Sequence, residues 1–360
     1  MTALAPPLAA LLAFAIAVAT APRLARRNAR RGHVDRPGGR KTQADAVPFG
    51  GGTALWLGTL VPGLLALLAA GLHEAGVLPL PAALAEHAPG ALRAAPQLLA
   101  IAGGALLLAL VGRRDDARGL PIAPRLLAQF AAAGLVAASG TRLGLYLGGE
   151  AAGIAVTIVF IVFLTNAFNF IDNMDGLAAG VGLASSLGIA AVGLADGQLF
   201  AAAFAFALAG AFGGILVHNA APARLYLGDE GSGFGGFALA AAAILVSYRS
   251  ESGGTTPVAY TFLAPALLLG VPLADGLFVC TSRLARGISP WTAGRDHLSH
   301  RLAERSGPRV GVRRLVAAAF AAAAAAQLLY ARAGLPLLAA LALAAGAVLA
   351  LRLGRRGGAR

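Results

Sequence analysis

The chain has 360 residues, 58% of them apolar and 12% charged, and a mean hydropathy of +0.74. That composition lies outside the soluble globular range and excludes an ordinary water-soluble domain. The net charge of +13 is spread over short loops with no folded basic domain to present it, so no nucleic-acid partner is expected. The only cysteine, Cys280, excludes an internal disulfide and a thiolate metal cluster.

A bilayer core of roughly 30 Å takes about 20 apolar helical residues per crossing. Eleven apolar stretches read as spans, beginning with Leu4 to Thr20, Gly52 to Leu72, Leu98 to Gly112, Leu126 to Ala138 and Ala152 to Leu164. Then come Leu177 to Leu194, Leu199 to Val217, Phe234 to Val246, Val258 to Thr281, Leu315 to Leu329 and Leu335 to Leu351. Arg23, Arg26, Arg27, Arg30 and Arg31 follow the first stretch, whereas a signal peptide carries its basic residues ahead of the apolar run. An uncleaved first helix with its N-terminus outside is expected. Alternating from that start, all of the 29 basic residues except Arg93, Arg142, Arg249 and Arg332 fall on the cytoplasmic side, as the positive-inside bias requires. The predicted fold is an all-α polytopic integral membrane protein of about 11 transmembrane helices. It forms one domain over 1–360, with a cytoplasmic C-terminus and a short basic tail at 352–360, in the inner (cytoplasmic) membrane.

The residues able to do chemistry collect in the gaps on that inner side. Asp35-Arg-Pro-Gly-Gly-Arg-Lys41 and Gly50-Gly-Gly52 form a basic loop with turn residues entering the second span. Asp115-Asp116 closes the third span after Arg113-Arg114. Adjacent carboxylates repel and are costly near hydrocarbon, so they persist most easily beside a cation or an arginine; a solvated loop pair is the plain alternative. Asn166, Asn169, Asp172 and Asp175 recur at every third position, which in a helix places them near one face among Phe168, Phe170 and Ile171. Either they bind something or they form an interhelical hydrogen-bond network.

Gly228-Asp229-Glu230-Gly231-Ser232 combines glycines that admit a phosphate to backbone N–H groups with a carboxylate able to hold a divalent ion on it. It lacks the lysine and spacing of a P-loop, and a loop entering a helix is the alternative. Asp275, within the ninth span, is an intramembrane acid with Arg283 or Arg286 as candidate neighbours. Arg295, His297, His300 and Arg301, after Ser289-Pro290-Trp291, suit phosphate oxygens better than zinc, for which no third histidine lies close. Contact with anionic lipid is the alternative there.

Taken in order, these motifs resemble the polyprenyl-phosphate N-acetylhexosamine-1-phosphate transferase superfamily over roughly Asp35 to Leu302. Asp115 and Asp116 match its Asp-Asp pair, with Gln129 at its downstream glutamine. Asn166, Asn169, Asp172, Asp175, Gly176 and Leu177 match its Asn-x-x-Asn-x-x-Asp-x-x-Asp-Gly-Leu run; Gly228, Asp229, Gly231 and Ser232 match its Gly-Asp-x-Gly-Ser element. The last motif is nearer the undecaprenyl-phosphate GlcNAc-1-phosphate transferase branch than the peptidoglycan translocase. That branch reads Ser-Pro, then Asp-Arg-x-His-x-His-His, matched by Ser289, Pro290, Gly294, Arg295, His297, Ser299 and His300. Gly294 stands where the pattern has Asp, Ser299 where it has His, and Gln43 where a His commonly follows Arg-Lys.

The resemblance implies transfer of an N-acetylhexosamine 1-phosphate from a UDP-N-acetylhexosamine, GlcNAc first among them, to undecaprenyl phosphate at the bilayer surface, with release of UMP. It implies Mg²⁺, or Mn²⁺ in its place, held by Asp229. Asp115 or Asp116 would position or deprotonate the lipid phosphate, or act as nucleophile. Asn166, Asn169, Asp172, Asp175, Gly228 and Ser232 would hold the substrate, and Lys41, Arg295, His297 and His300 would steady its phosphates. A homodimer is compatible with the sequence but not called for by it. The competing class is a multi-pass transporter of an anionic solute, whose site would lie at mid-depth, often between repeated halves; no internal repeat is present.

Overall fold

The structure is a computed structural model, and it describes residues 5–36, 45–143, 149–246, 259–292 and 294–331. Lys41, Gln43, the eleventh expected span and the basic tail lie outside the described residues.

The chain opens with α1 (Ala5–Arg30), whose final turns carry the basic cluster, and a two-residue ribbon in which β1 (Val34–Asp35) pairs antiparallel with β2 (Val47–Pro48). Then come α2 (Gly51–Glu74), the short α3 (Ala82–Ala85) and α4 (Ala88–Arg93), α5 (Ala95–Arg118), α6 (Ile122–Ala138) and α7 (Gly149–Ile171). The second half comprises α8 (Leu177–Ala195), α9 (Leu199–Asn219), α10 (Gly228–Leu245), α11 (Ala259–Leu268), α12 (Gly270–Leu284), α13 (Leu298–Ser306) and α14 (Pro308–Ala331).

Among the described residues, seven helices are long and apolar enough to cross a membrane: α1, α2, α5, α7, α8, α9 and α14. The other expected spans depart from a simple crossing. α6 is apolar but has only 17 residues. α10 opens on Gly228-Asp229-Glu230, so its first turn is polar. The ninth span divides into α11 and α12 at Leu269, because Pro272 has no N–H for the Leu268 carbonyl and the ladder cannot run through.

α10 is the axis of the bundle. It packs against α2, α5, α7, α8 and α9, and its side chains from Phe234 to Ala243 are buried. Its glycine and alanine surface lets these neighbours approach closely, which is how apolar helices gain contact where lipid competes for the same surface. Three buried hydroxyls are satisfied within their own helices: Thr157, Thr165 and Ser186 each donate to the carbonyl four residues back. Leu68, Leu110, Leu127 and Val159 point outward, as bilayer-facing residues do. The C-terminal ends of α1, α5, α7, α9 and α12 meet the N-terminal ends of α2, α6, α8, α10 and α14 at one end of the bundle. Contacts such as Asn28 to Phe49 and Gly51 to Tyr226 tie them there.

Candidate active site

The site is built where the last turn of α5 crosses the first turn of α10. A Cβ on Gly112 would stand 2.4 Å from the Asp229 carbonyl oxygen, so only glycine permits this approach. One turn on, Asp116 Oδ1 accepts the backbone N–H of Asp229 at 2.8 Å, and Oδ2 accepts that of Glu230 at 3.1 Å. The carboxylate thus satisfies two orphan donors of α10 and meets the positive end of its dipole. Gly228 precedes them at φ 70, a left-handed conformation, and a Cβ there would meet Asp116 Oδ2 at 2.6 Å.

Asp115 turns another way. Its Oδ1 accepts the Leu120 N–H at 2.7 Å and its Oδ2 lies 2.8 Å from Arg125 Nη1. Arg125 Nη2 also lies 3.9 Å from Asp229 Oδ1, so this arginine sits between two acids. The carboxylate pair is therefore offset by a helix terminus on one side and a guanidinium on the other. Asp116 lines the cavity described below and Asp115 does not.

Asn169 Nδ2 donates to Asp229 Oδ1 at 2.6 Å and to Ser232 Oγ at 2.7 Å, while Ser232 Oγ donates to the Gly228 carbonyl at 2.9 Å. Asn166 instead bonds Gln129 Oε1 at 2.6 Å and the Val162 carbonyl at 2.8 Å, an interhelical link between α7 and α6. The four-residue run does not continue as one helical face. α7 stops at Ile171, and Asp172 and Asp175 lie in the turn to α8, where Asn219 Oδ1 accepts the Gly176 N–H at 3.1 Å. Asp175 Oδ2 accepts the Ala223 N–H at 2.9 Å and the Tyr226 hydroxyl also bonds the Asp175 carboxyl; burial and this acid push the Tyr226 phenol up to about 12. Asp172, partly buried, lines the cavity, and burial, then the charges of Asp229 and Asp175, raise its carboxyl to about 7.

The histidine segment closes the opposite wall. His297 Nδ1 is 2.8 Å from Asp275 Oδ2, and Asp275 Oδ1 accepts the Leu298 N–H at 2.7 Å. Both side chains are buried, at 6% and 2% exposure. Asp275 is thus paired as expected, but with His297 rather than with Arg283 or Arg286, which turn to Asp296. His300 stands 6.0 Å from His297 ring to ring; burial, then the charges of His297 and Arg295, hold its imidazole below the ordinary value. Ser299 donates to Asn173 Oδ1 at 2.7 Å.

A cavity of about 1600 Å³ joins these groups: Asp116, Asn169, Asp172 and Asp229 on one side, Arg295, His297 and His300 on the other. Asn166, Asp175, Gly228 and Ser232 also line it. Sequence reasoning missed Arg125, which reads as one more inner-loop arginine, and Asn173, Asn219 and Tyr226, which carry no motif. It also missed that Glu230 faces away. At 5% exposure Glu230 receives Arg113 Nη2 at 2.9 Å, Thr53 Oγ1 at 2.7 Å and Trp56 Nε1 at 3.1 Å. No three His, Cys, Asp or Glu side chains among the described residues converge as a complete metal cage. Carboxylates that repel across a cavity, Asp229 foremost, fit instead a divalent ion taking one or two protein oxygens and the rest from phosphate and water.

Residues 98–247 match the family model described as glycosyl transferase family 4. The chain is 26% identical over 281 residues to a probable undecaprenyl-phosphate N-acetylglucosaminyl 1-phosphate transferase of Bacillus subtilis, covering 75% of this chain and 70% of that protein. It is 33% identical over 216 residues to a decaprenyl-phosphate N-acetylglucosaminephosphotransferase of Mycobacterium leprae, covering 53% and 54%. Against the undecaprenyl-phosphate alpha-N-acetylglucosaminyl 1-phosphate transferase of Escherichia coli it is 28% identical over 152 residues, covering 41% and 40%. The chain thus spans about half the length of the mycobacterial relative and less of the E. coli one. The residues matched by the family model, 98–247, run from α5 into α10 and include the crossing that builds the cavity's acidic wall.

Proposed function

We propose that the chain transfers N-acetylglucosamine 1-phosphate from UDP-GlcNAc to a polyprenyl phosphate, releasing UMP and leaving a lipid-diphosphate sugar that starts envelope polysaccharide synthesis. The observation that carries this reading is the convergence of Asp116, Asn169 and Asp229 with Arg295, His297 and His300 on one cavity at one end of a helical bundle. The names of its relatives point the same way.

The reaction brings a phosphate oxygen of the lipid to the β-phosphorus of the sugar nucleotide, so two anions must meet and charge neutralisation dominates. Arg295, His297 and His300 would draw the donor's phosphates to one wall. Asn169 and Arg125 orient the Asp229 carboxylate, which would hold Mg²⁺; when bound, that ion supplies positive charge to the diphosphate. Asp116 reaches the cavity and would position or deprotonate the lipid phosphate, or serve as nucleophile. Asp172 and Asp175 would contact the nucleoside or sugar. The basic end of α1 lies at the same end of the bundle as the site, which supports a cytoplasmic active site on the inner membrane. A transporter is disfavoured because the polar groups described here gather at that end and not at mid-depth.

The test is UMP release by purified full-length protein supplied with undecaprenyl phosphate and a panel of UDP-sugars, with Mg²⁺ or EDTA. Release that needs lipid and metal together, strongest with UDP-GlcNAc, is expected. Folded protein that releases no UMP with any sugar would overturn the reading.

A further inference from the structure

The loop between α12 and α13 hangs on one guanidinium. Arg283, at 3% exposure, donates from Nη2 to Asp296 Oδ1 at 2.6 Å and from Nε to Asp296 Oδ2 at 3.1 Å. Its Nη1 donates to the Pro290 carbonyl at 2.6 Å, so a side chain fixed in α12 ties two points of the loop at once. Arg286 adds a bond to Asp296 Oδ2 at 2.7 Å. A two-bond fork of this kind fixes direction as well as distance, and a buried guanidinium stripped of its carboxylate is strongly unfavourable. On either side of Asp296 stand Arg295 and His297, both lining the cavity.

Gly294 meets the same group. A Cβ at that position would lie 3.0 Å from Arg283 Nη2 and 2.6 Å from Asp296 Oδ1. A side chain at 294 therefore reaches the guanidinium that Asp296 holds, and two carboxylates do not fit there together. The pattern this loop resembles has its acid at 294, as Asp-Arg-x-His; here the run is Gly294-Arg295-Asp296-His297.

We infer that Asp296 is a positioning residue that holds Arg295 and His297 to the cavity through Arg283, and that it replaces in this chain an acid at position 294. Gly294 is then the compensating half of a two-residue change and not a lesion in the site. A single acid on either residue serves the loop; acids on both exclude each other.

The activity arm rests on the proposed transferase reaction, so the experiment carries a second readout. Full-length Asp296→Asn, Gly294→Asp and the double variant would be compared with the unaltered protein by thermal unfolding, and by KM for the UDP-sugar and kcat for UMP release. Asp296→Asn is expected to lower the unfolding temperature and raise KM by roughly tenfold or more, because the loop's phosphate-facing groups lose their registration. Gly294→Asp alone should also lower the unfolding temperature, since the new carboxylate meets Asp296. The double variant should regain most of both losses. Asp296→Asn with unchanged KM and kcat, or a double variant no better than the worse single one, would overturn the inference. Should Asp296→Asn yield no folded protein, recovery of folding in the double variant supports the replacement and its absence overturns it. If the unaltered protein releases no UMP, the transferase reading fails, while the unfolding temperatures still decide whether 294 and 296 share one guanidinium.

Discussion

Asp116 Oδ1 accepts the backbone N–H of Asp229 at 2.8 Å, so the carboxylate that lines the cavity also sets the start of the helix bearing its neighbour acid. The bond joins residues 113 apart in sequence and puts two carboxylates side by side without a cation between them. The backbone N–H groups of α10 make this tolerable for Asp116, and Arg125 and Asn169 do so for Asp229.

Asp116→Asn should separate the two duties of this residue. Asparagine keeps one oxygen to cap α10 but loses the charge, so turnover should fall by roughly 10²-fold or more with little loss of stability. Asp116→Ala removes the cap as well and should cost a further ~1 kcal/mol. UMP release and thermal unfolding of both variants check this; an asparagine variant with near-normal turnover would remove Asp116 from the chemistry.

The Glu230 cluster predicts an order of stabilities. Arg113→Ala leaves a buried carboxylate with only Thr53 and Trp56 as partners and should cost about 1–3 kcal/mol, tempered because Arg113 is half exposed. Glu230→Gln still accepts from Thr53 and Trp56 and strands no buried charge, so it should cost less. Thermal unfolding of the pair tests this, and the reverse order would mean that Arg113 contributes little to the clamp.

Gly112→Ala should harm the site through packing alone. The added methyl would stand 2.4 Å from the Asp229 carbonyl, forcing α5 and α10 apart at a cost of about 1–3 kcal/mol. Because that crossing sets the Asp116–Asp229 contact, activity should fall together with the unfolding temperature. Loss of stability with full activity would show that the contact tolerates displacement.

His300 supplies the pH dependence. Burial, then His297 and Arg295, depress its folded pKa, against the weaker opposing pull of Asp275 and Glu304. The unfolded chain takes up the proton first, at about 6.5. Between that value and the lower folded one this group binds more protons in the unfolded state, so the His300 contribution falls as pH drops below about 6.5 and is level above it; the Asp172 carboxyl, raised to about 7, acts in the opposite sense. Measured against pH, the unfolding temperature of the unaltered protein minus that of His300→Gln should therefore fall as pH drops below about 6.5. A difference that does not change with pH would remove His300 from the acid response; Asp296, whose carboxyl Arg283 holds well below the ordinary range, acts only at lower pH than this window.

Much of the site was legible before any contact was known. Asp116, Asn169, Asp229, His297 and His300 were named from their spacing and resemblance, and all five line one cavity. The reading of Asn166, Asn169, Asp172 and Asp175 as one helical face was too regular. A three-residue spacing says which side chains would align if the helix continued, and nothing about where it stops; the Asn219 bond to the Gly176 backbone belongs to another helix. Arg125 was invisible because a lone arginine at a helix start looks the same whether it meets solvent or two acids.

The sequence by itself determined that the chain is a bundle of apolar helices with its chemistry at their ends. Hydropathy and charge bias are sums over neighbouring residues, so they need no knowledge of packing. Only the tertiary structure decided which groups face each other: Asp116 with α10, Asp275 with His297, Arg283 with Asp296 and not Asp275. Partner choice depends on helix crossings accurate to an ångström or so, set by small residues such as Gly112 at the point of contact, and no local property of the chain encodes that distance.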